Sequence, residues 1–159
     1  TMSDSDGYSY DPDGSDREEL DFIMELKNLY HGRIREYAEK YGCKDVAGAR
    51  PWGEKADIAL HSATQNELNG DEARQLVANS VMAVSEGANM PSTPEAIRVF
   101  QEAKILYAPG KAANAGGVSV SGLEMTQNSI KLGWSSEEVD EKLKSIMKNI
   151  HTACVQSVS

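Results

Sequence analysis

Long hydrophobic runs are missing from this 159-residue sequence, which excludes a membrane helix, since such a helix needs roughly 18 or more consecutive apolar residues. The first six residues include two aspartates and lack the basic and apolar regions of a signal peptide. An excess of positive charge is missing too. The formal net charge of -9 at pH 7 excludes nucleic acid and anionic membranes as general partners. These features predict a soluble, cytoplasmic protein.

Cysteine is scarce as well, with two residues in the whole chain. Cys43 and Cys154 lie far apart and outside any CxxC or Cys/His ligand spacing, so we expect reduced thiols rather than a disulfide. His31 and His151 form no HxxxH or HExxH arrangement. The sequence therefore predicts no metal site.

The pattern of apolar residues predicts an α/β fold in one domain. Helices are expected at 16–30, at 33–41 with Gly42 as the terminating glycine, at about 114–132, and from Ser135 to beyond Cys154. Between them, short apolar runs at 57–60, 82–84 and 105–107 are separated by helical stretches at 71–78 and 94–103. This alternation is typical of a mostly parallel sheet flanked by helices.

Small and amide residues follow each of the three predicted parallel strands, at 61–66, 85–89 and 108–111. Ligands bind beyond the carboxyl ends of strands in such sheets, so the coincidence of three such segments predicts a binding edge. Each segment alone is more typical of an ordinary loop or helix cap. The GxGxxG fingerprint is absent, and Lys111 lacks the glycine and hydroxyl residue that would complete a phosphate loop.

Three ordered blocks carry a family resemblance: ATQNEL at 63–68, EGANMPST at 86–93 and PGKAANAGGVSVSG at 109–122. Together they resemble the nucleotide-binding domain of hexameric bacterial-type glutamate dehydrogenases. The resemblance implies a single partial Rossmann-like domain over 1–159. The expected domain lacks the family's first strand, glycine turn and following helix, and it also lacks the terminal helix.

The resemblance also implies site residues at the binding edge. Ser121 matches the serine that binds the side-chain carboxylate of glutamate, and Val118 matches a neighbour lining that pocket. Asn89 and Asn114 match asparagines near the nicotinamide. The backbone neighbours of the cofactor are matched by Ala63 and Thr64. For Ser121 and Asn114, helix-start capping is the alternative interpretation.

The residues that select NADP or NAD are expected at the start of the chain, because its first residues resemble the end of the family's second strand. Asp4 and Ser5 resemble NADP-type members, with Lys27 and Arg33 as phosphate contacts beside Ser5. Tyr30 departs from the arginine that such members can carry. Solvated helix charges are the alternative interpretation of Lys27 and Arg33, so the expectation is NADP with NAD possible.

His61 and Ser62 depart from the Pro-Cys that the family normally has before Ala-Thr-Gln-Asn. His61 titrates near neutrality in water, but the sequence shows no fixed carboxylate partner for it, so we interpret it as a tolerated loop substitution. Ser62 lacks a GxSxG elbow and is not expected to be a nucleophile.

The activity implied by the resemblance is reversible NAD(P)-linked oxidative deamination of L-glutamate to 2-oxoglutarate and ammonia. The family's catalytic residues belong to the substrate domain, so none is assigned here and the isolated chain is expected to be inactive. The implied partners are that missing substrate domain and further copies of the chain in a hexamer. A noncatalytic nucleotide-binding or structural module derived from this domain is the alternative.

Overall fold

Two three-stranded sheets organise the computed structural model, which describes residues 1–157. The chain divides into a first unit, Thr1–Lys55, and a second unit that begins at Ala56, with one sheet in each. The expected single partial domain over 1–159, whose last two positions lie outside the described residues, stays a prediction.

The first unit contains an antiparallel sheet. Its strands, in spatial order, are β1 (Met2–Asp4), β2 (Gly7–Tyr10) and β3 (Lys44–Ala47). A turn at Ser5 and Asp6 joins β1 to β2. The antiparallel pairing of β2 with β3 was not predicted. Glycine is required at position 7, because its φ is +152° and a Cβ there would run into the backbone of Val46 and Ala47.

The first unit also contains two α-helices, α1 (Arg17–Asn28) and α2 (Ile34–Tyr41), close to the predicted bounds, and a short 3-10 helix at Pro51–Gly53. Asp16 caps α1: its carboxylate accepts the Glu19 N–H at 2.9 Å, and the Glu19 carboxylate accepts the Asp16 N–H at 2.8 Å. α2 ends at Gly42, whose φ is +73°. Ile23, Ile34 and Tyr37 form a buried hydrophobic cluster in this unit.

The second unit alternates strands and helices, as the sequence predicts. Its elements are β4 (Ile58–His61), α3 (Gly70–Ala78), β5 (Ala83–Glu86), α4 (Pro94–Glu102) and β6 (Leu106–Ala108). The three strands are parallel in the order β4-β5-β6. The α/β fold class, with a parallel sheet flanked by helices, is confirmed.

One face of this parallel sheet is buried and the other is exposed. Ala59 and His61 of β4, and Val84 and Glu86 of β5, are buried, whereas Ile58, Leu60 and Leu106 are more than half exposed. On the buried side, the Phe100 ring of α4 stacks on Tyr107 of β6 with centroids 5.9 Å apart. Charged groups placed at the inner positions of β4 and β5 therefore lie inside the unit.

Three helices follow the parallel sheet: α5 (Gly110–Ala113), α6 (Ala115–Ile130) and α7 (Ser136–Ser157). Ser135 begins α7 as expected, because its hydroxyl accepts the Glu138 N–H at 3.2 Å. In residues 1–157, we find no helix with both the length and the apolar character to cross a bilayer.

Candidate functional site

The carboxyl ends of β4, β5 and β6 meet at one edge of the parallel sheet, as the sequence predicts. The segments 62–69 and 87–93 are joined there by backbone hydrogen bonds. The Asn66 N–H donates to Met90 O at 3.0 Å, and the Leu68 N–H donates to Pro91 O at 3.0 Å. The Thr93 N–H in turn donates to Leu68 O at 2.9 Å. These bonds hold the two segments as one ordered rim.

Asn114 connects this rim to the helices that follow β6. It lies between α5 and α6, and its side-chain Nδ2 donates to the Ala88 carbonyl at 2.8 Å and to Asn89 Oδ1 at 2.9 Å. Because a backbone carbonyl only accepts, the bond to Ala88 orients the Asn114 amide. In the part of the chain that the structure describes, Asn114 Oδ1 and Asn89 Nδ2 have no hydrogen-bond partner. The two side chains therefore present one acceptor and one donor.

The substrate residues expected from the sequence lie on the same helix stripe as Asn114. Val118 and Ser121 are four and seven residues further along, a spacing that places all three on one face of an α-helix. Val118 is 72% exposed, and Ser121 is also exposed. Neither is at the helix start, and Asn114 makes no side-chain capping bond to α6. The structure thus removes the capping interpretation for Ser121 and Asn114.

The Ala63 and Thr64 backbone groups are already engaged locally. Both N–H groups donate to Glu67 Oε2, each at 2.9 Å. Both residues are exposed on the rim after β4. A ligand at this position would therefore meet their side chains and carbonyl groups before their N–H groups.

His61 is not a loop residue, which corrects the interpretation from the sequence. It is the last residue of β4, has no exposed surface, and its Nε2 lies 2.7 Å from Ser92 Oγ. A carboxylate faces it too, since Glu86 Oε1 is 3.7 Å from the same nitrogen. Burial lowers the pKa of His61 and the Glu86 charge offsets this only in part, so the ring is neutral at pH 7.

These three side chains do not form a nucleophilic triad. In a triad the hydroxyl and the carboxylate lie at opposite ring nitrogens, whereas here Ser92 and Glu86 both face Nε2 of His61. All three are buried, so no substrate reaches the hydroxyl.

Glu86 is a site residue that the sequence analysis did not single out. It is the last residue of β5, it is 4% exposed, and its Oε2 accepts the Gly110 N–H at 2.7 Å. Burial raises the pKa of its carboxyl, but the bonds from Ser92 and the Gly110 N–H outweigh burial and hold the pKa below its usual range. The signal that could have identified Glu86 is its position in β5: buried and less buried residues alternate along this strand, and the alternation places the glutamate on the inner face.

In the first unit, Asp4 and Lys27 form a closed ion pair. Lys27 Nζ lies 2.7 Å from Asp4 Oδ2 and donates to Gly32 O at 2.9 Å, while the Ile34 N–H donates to Asp4 Oδ2 at 2.9 Å. Burial raises the pKa of Asp4, but the bond from Lys27 and two backbone N–H groups lower it below its usual range. The Lys27 ammonium, which was expected to contact a phosphate, is therefore already bonded to Asp4 and Gly32.

Arg33 is the more open of the two basic residues. Its Nη1 donates to Ser5 Oγ at 2.5 Å, its Nε lies 3.3 Å from Asp6 Oδ2, and its side chain is 48% exposed. The structure therefore brings Ser5 and Arg33 together beside the turn between β1 and β2. Tyr30, the residue that departs from the family pattern, is 67% exposed.

A model of one protein family, described as Glutamate/Leucine/Phenylalanine/Valine dehydrogenase, matches residues 1–159. The chain is 87% identical over 156 residues to a glutamate dehydrogenase of Bacteroides thetaiotaomicron, covering 98% of this chain and 35% of that protein. It is 68% identical over 156 residues to an NAD(P)-specific glutamate dehydrogenase of Xylanibacter ruminicola, with the same coverage of 98% and 35%.

A similar solved structure is that of Plasmodium falciparum glutamate dehydrogenase, with a TM-score of 0.90 and 48% identity. That match covers 98% of this chain and 33% of the solved chain. The chain thus spans about a third of the length of the relatives that it matches.

Proposed function

Because the chain belongs to the Glutamate/Leucine/Phenylalanine/Valine dehydrogenase family, we propose that it is part of the nucleotide-binding domain of a glutamate dehydrogenase. The complete enzyme would catalyse the reversible NAD(P)-linked oxidative deamination of L-glutamate to 2-oxoglutarate and ammonia. The cofactor, when bound, supplies the hydride acceptor for the deamination direction. The residues of this chain bind and orient; none of them is assigned a catalytic step.

The observation that carries the proposal is the arrangement of Asn89 and Asn114. Their mutual bond leaves Asn114 Oδ1 as an acceptor and Asn89 Nδ2 as a donor at the edge of the parallel sheet. A primary carboxamide has one donor NH₂ group and one acceptor oxygen, so this pair matches the carboxamide of nicotinamide in both respects. Neither side chain adds a charge near a group that must exchange a hydride.

Substrate binding is proposed at the stripe that continues from Asn114 along α6. Ser121 offers an exposed hydroxyl to the side-chain carboxylate of glutamate, and Val118 offers an exposed apolar surface beside it. The spacing of these residues supports a common site, since both lie on the face that Asn114 begins. Ala63 and Thr64 are proposed as cofactor neighbours on the rim after β4.

For the cofactor we propose NADP, with NAD possible. In the first unit, Arg33 and Ser5 offer a guanidinium and a hydroxyl, which suit a phosphate monoester. Lys27 contributes indirectly, because it neutralises Asp4, which would otherwise repel a phosphate group. The proposal assigns the phosphate contacts to Arg33 and Ser5, and the support of the strand end to Asp4 and Lys27.

The proposed assembly is a homohexamer whose subunits also contain a substrate domain. A cytoplasmic location stays a prediction. Without that domain the isolated chain is expected to be inactive. The alternative is a noncatalytic nucleotide-binding or structural module. The exposed apolar face of the parallel sheet, with Ile58, Leu60 and Leu106, favours such a role because large exposed apolar patches mark interaction surfaces.

The experiment that tests the proposal is a fluorescence titration of NADPH into the purified chain. Asn114→Ala removes the acceptor and the bonds that orient Asn89, so we expect about fivefold to tenfold weaker NADPH binding. Asn128→Ala is the matched control, because Asn128 is an exposed residue of the same helix. If the Asn114 variant binds as tightly as the unchanged chain, the amide pair is not the nicotinamide site. If NADPH does not bind the unchanged chain, the structural module becomes the better account.

A further inference from the structure

Glu86 lies directly under the segment that carries Asn114. Its Oε2 accepts the N–H of Gly110, the first residue of α5, at 2.7 Å. A buried carboxylate is costly unless hydrogen bonds compensate it. Here the compensation comes in part from this backbone group, so the strand end and the start of α5 stabilise each other.

A short covalent and hydrogen-bonded path connects Gly110 to Asn114. The single turn of α5 joins them, and the Asn114 N–H donates to the Gly110 carbonyl at 2.9 Å. At the other end of that turn, Asn114 Nδ2 donates to Ala88 O, two residues after Glu86. The end of β5 therefore holds α5 at both ends, once through the Glu86 side chain and once through the Ala88 carbonyl.

The corner at Gly110 packs closely against the end of β5. A Cβ on Gly110 would lie 3.0 Å from Ala88 O and 3.2 Å from Glu86 Oε2. These are close contacts to a backbone atom and to a buried carboxylate, and neither group moves freely. The position of α5, and with it the direction of the Asn114 side chain, is thus determined by the end of β5.

The carboxylate is itself held in place from the side of the sheet. Burial and the nearby Glu86 carboxylate raise the pKa of the phenol of Tyr107 on β6, so this phenol stays protonated beside the carboxylate. His61 lies 3.7 Å from Oε1 on the adjacent strand. Groups from both neighbouring strands, β4 and β6, therefore face Glu86.

We propose that Glu86 is the positioning residue of the nicotinamide end: by holding Gly110, it orients Asn114 so that the Asn89–Asn114 pair fits a carboxamide. Glu86 does not touch the ligand and is not catalytic. The inference rests on the proposed function, because the amide pair that Glu86 orients is the one assigned to the carboxamide.

The test compares two ligands by calorimetry, NADPH and 2′-phospho-ADP-ribose, which lacks the nicotinamide. Glu86→Gln keeps the size of the side chain and removes the charge, so we expect about fivefold weaker NADPH binding and unchanged binding of 2′-phospho-ADP-ribose. In ¹H–¹⁵N spectra, the Gly110 amide proton should move upfield in this variant. Glu102→Gln, at the exposed end of α4, should change neither affinity.

Gly110→Ala provides a second variant that leaves the carboxylate in place. Its added Cβ displaces the corner, so the same selective loss of NADPH affinity is expected even if Glu86→Gln does not fold. Equal losses for both ligands, or full retention of NADPH affinity in both variants, would overturn the positioning role. The proposed function itself would be overturned if the unchanged chain bound NADPH no more tightly than 2′-phospho-ADP-ribose.

Discussion

His61 and Glu86 are register partners on neighbouring parallel strands, and their side chains meet inside the second unit with Nε2 and Oε1 3.7 Å apart. One is a neutral imidazole and the other an ionised carboxylate at pH 7, because burial lowers the pKa of His61 while hydrogen bonds hold the pKa of Glu86 low. The pair lies beneath the rim that presents Asn89 and Asn114. Protonation of His61 is therefore coupled to the stability of the proposed binding edge.

The pH dependence of stability tests this arrangement. A histidine whose pKa in the folded state lies below its unfolded value of 6.5 binds its proton more readily when unfolded. The contribution is present above pH 6.5 and is lost as the pH falls below it. His61→Gln should therefore reduce the slope of the unfolding free energy against pH between pH 7 and pH 5. The reduction should be at most about 1.4 kcal/mol per pH unit, the slope that one bound proton contributes.

Urea unfolding at several pH values measures that slope. His151→Gln is the matched control, since His151 is an exposed residue of α7, and it should leave the slope as it is. Equal slopes for His61→Gln and the unchanged chain would mean that His61 is not the buried titrating group.

Arg33 should determine the preference for a phosphorylated nucleotide. Its guanidinium is held by Ser5 and is half exposed, so Arg33→Ala should weaken NADPH binding by about tenfold and leave NADH binding nearly unchanged, as expected for one lost charge-assisted bond. Arg35→Ala is the control, because Arg35 lies two residues further in α2 and is similarly exposed, at 55% against 48%. The measurement is the ratio of the two dissociation constants, and a ratio unaffected by Arg33→Ala would contradict the assignment.

Gly7 should be the least replaceable of the turn residues in the first unit. Its φ of +152° and the nearby backbone of β3 leave no place for a Cβ, so Gly7→Ala should lower the free energy of unfolding by about 1–3 kcal/mol. Gly133→Ala has no atom within 4 Å of the added Cβ and serves as the control. Thermal unfolding followed by circular dichroism separates the two, and similar midpoints for both variants would refute the steric argument.

Sequence reasoning predicted the features that local chemistry determines. Asp16, Gly42 and Ser135 mark helix ends by capping bonds and by a positive φ, and the helices begin or end beside them. The family resemblance is confirmed by the match of the family model over 1–159 and by the similar relatives.

The features that the sequence analysis missed depend on distant pairing. β2 and β3 are each four residues long and separated by α1 and α2, and no alternation of apolar residues marks β3. The surroundings of His61 depend on the register of β4 with β5, which brings Glu86 opposite it. The alternation in β5 places Glu86 on the inner face, but its pairing with His61 depends on the register between the two strands, so the cluster was visible only in the folded chain.

The most direct measurement uses a chimera, in which this chain replaces the corresponding residues of the full-length Bacteroides thetaiotaomicron glutamate dehydrogenase. NADPH formation from NADP and L-glutamate is followed by absorbance. We expect the isolated chain to be inactive and the chimera to retain activity within about tenfold of its parent, a change of no more than about 1.4 kcal/mol in the barrier. A chimera that folds and assembles like its parent but forms no NADPH would contradict the account, as would activity of the isolated chain.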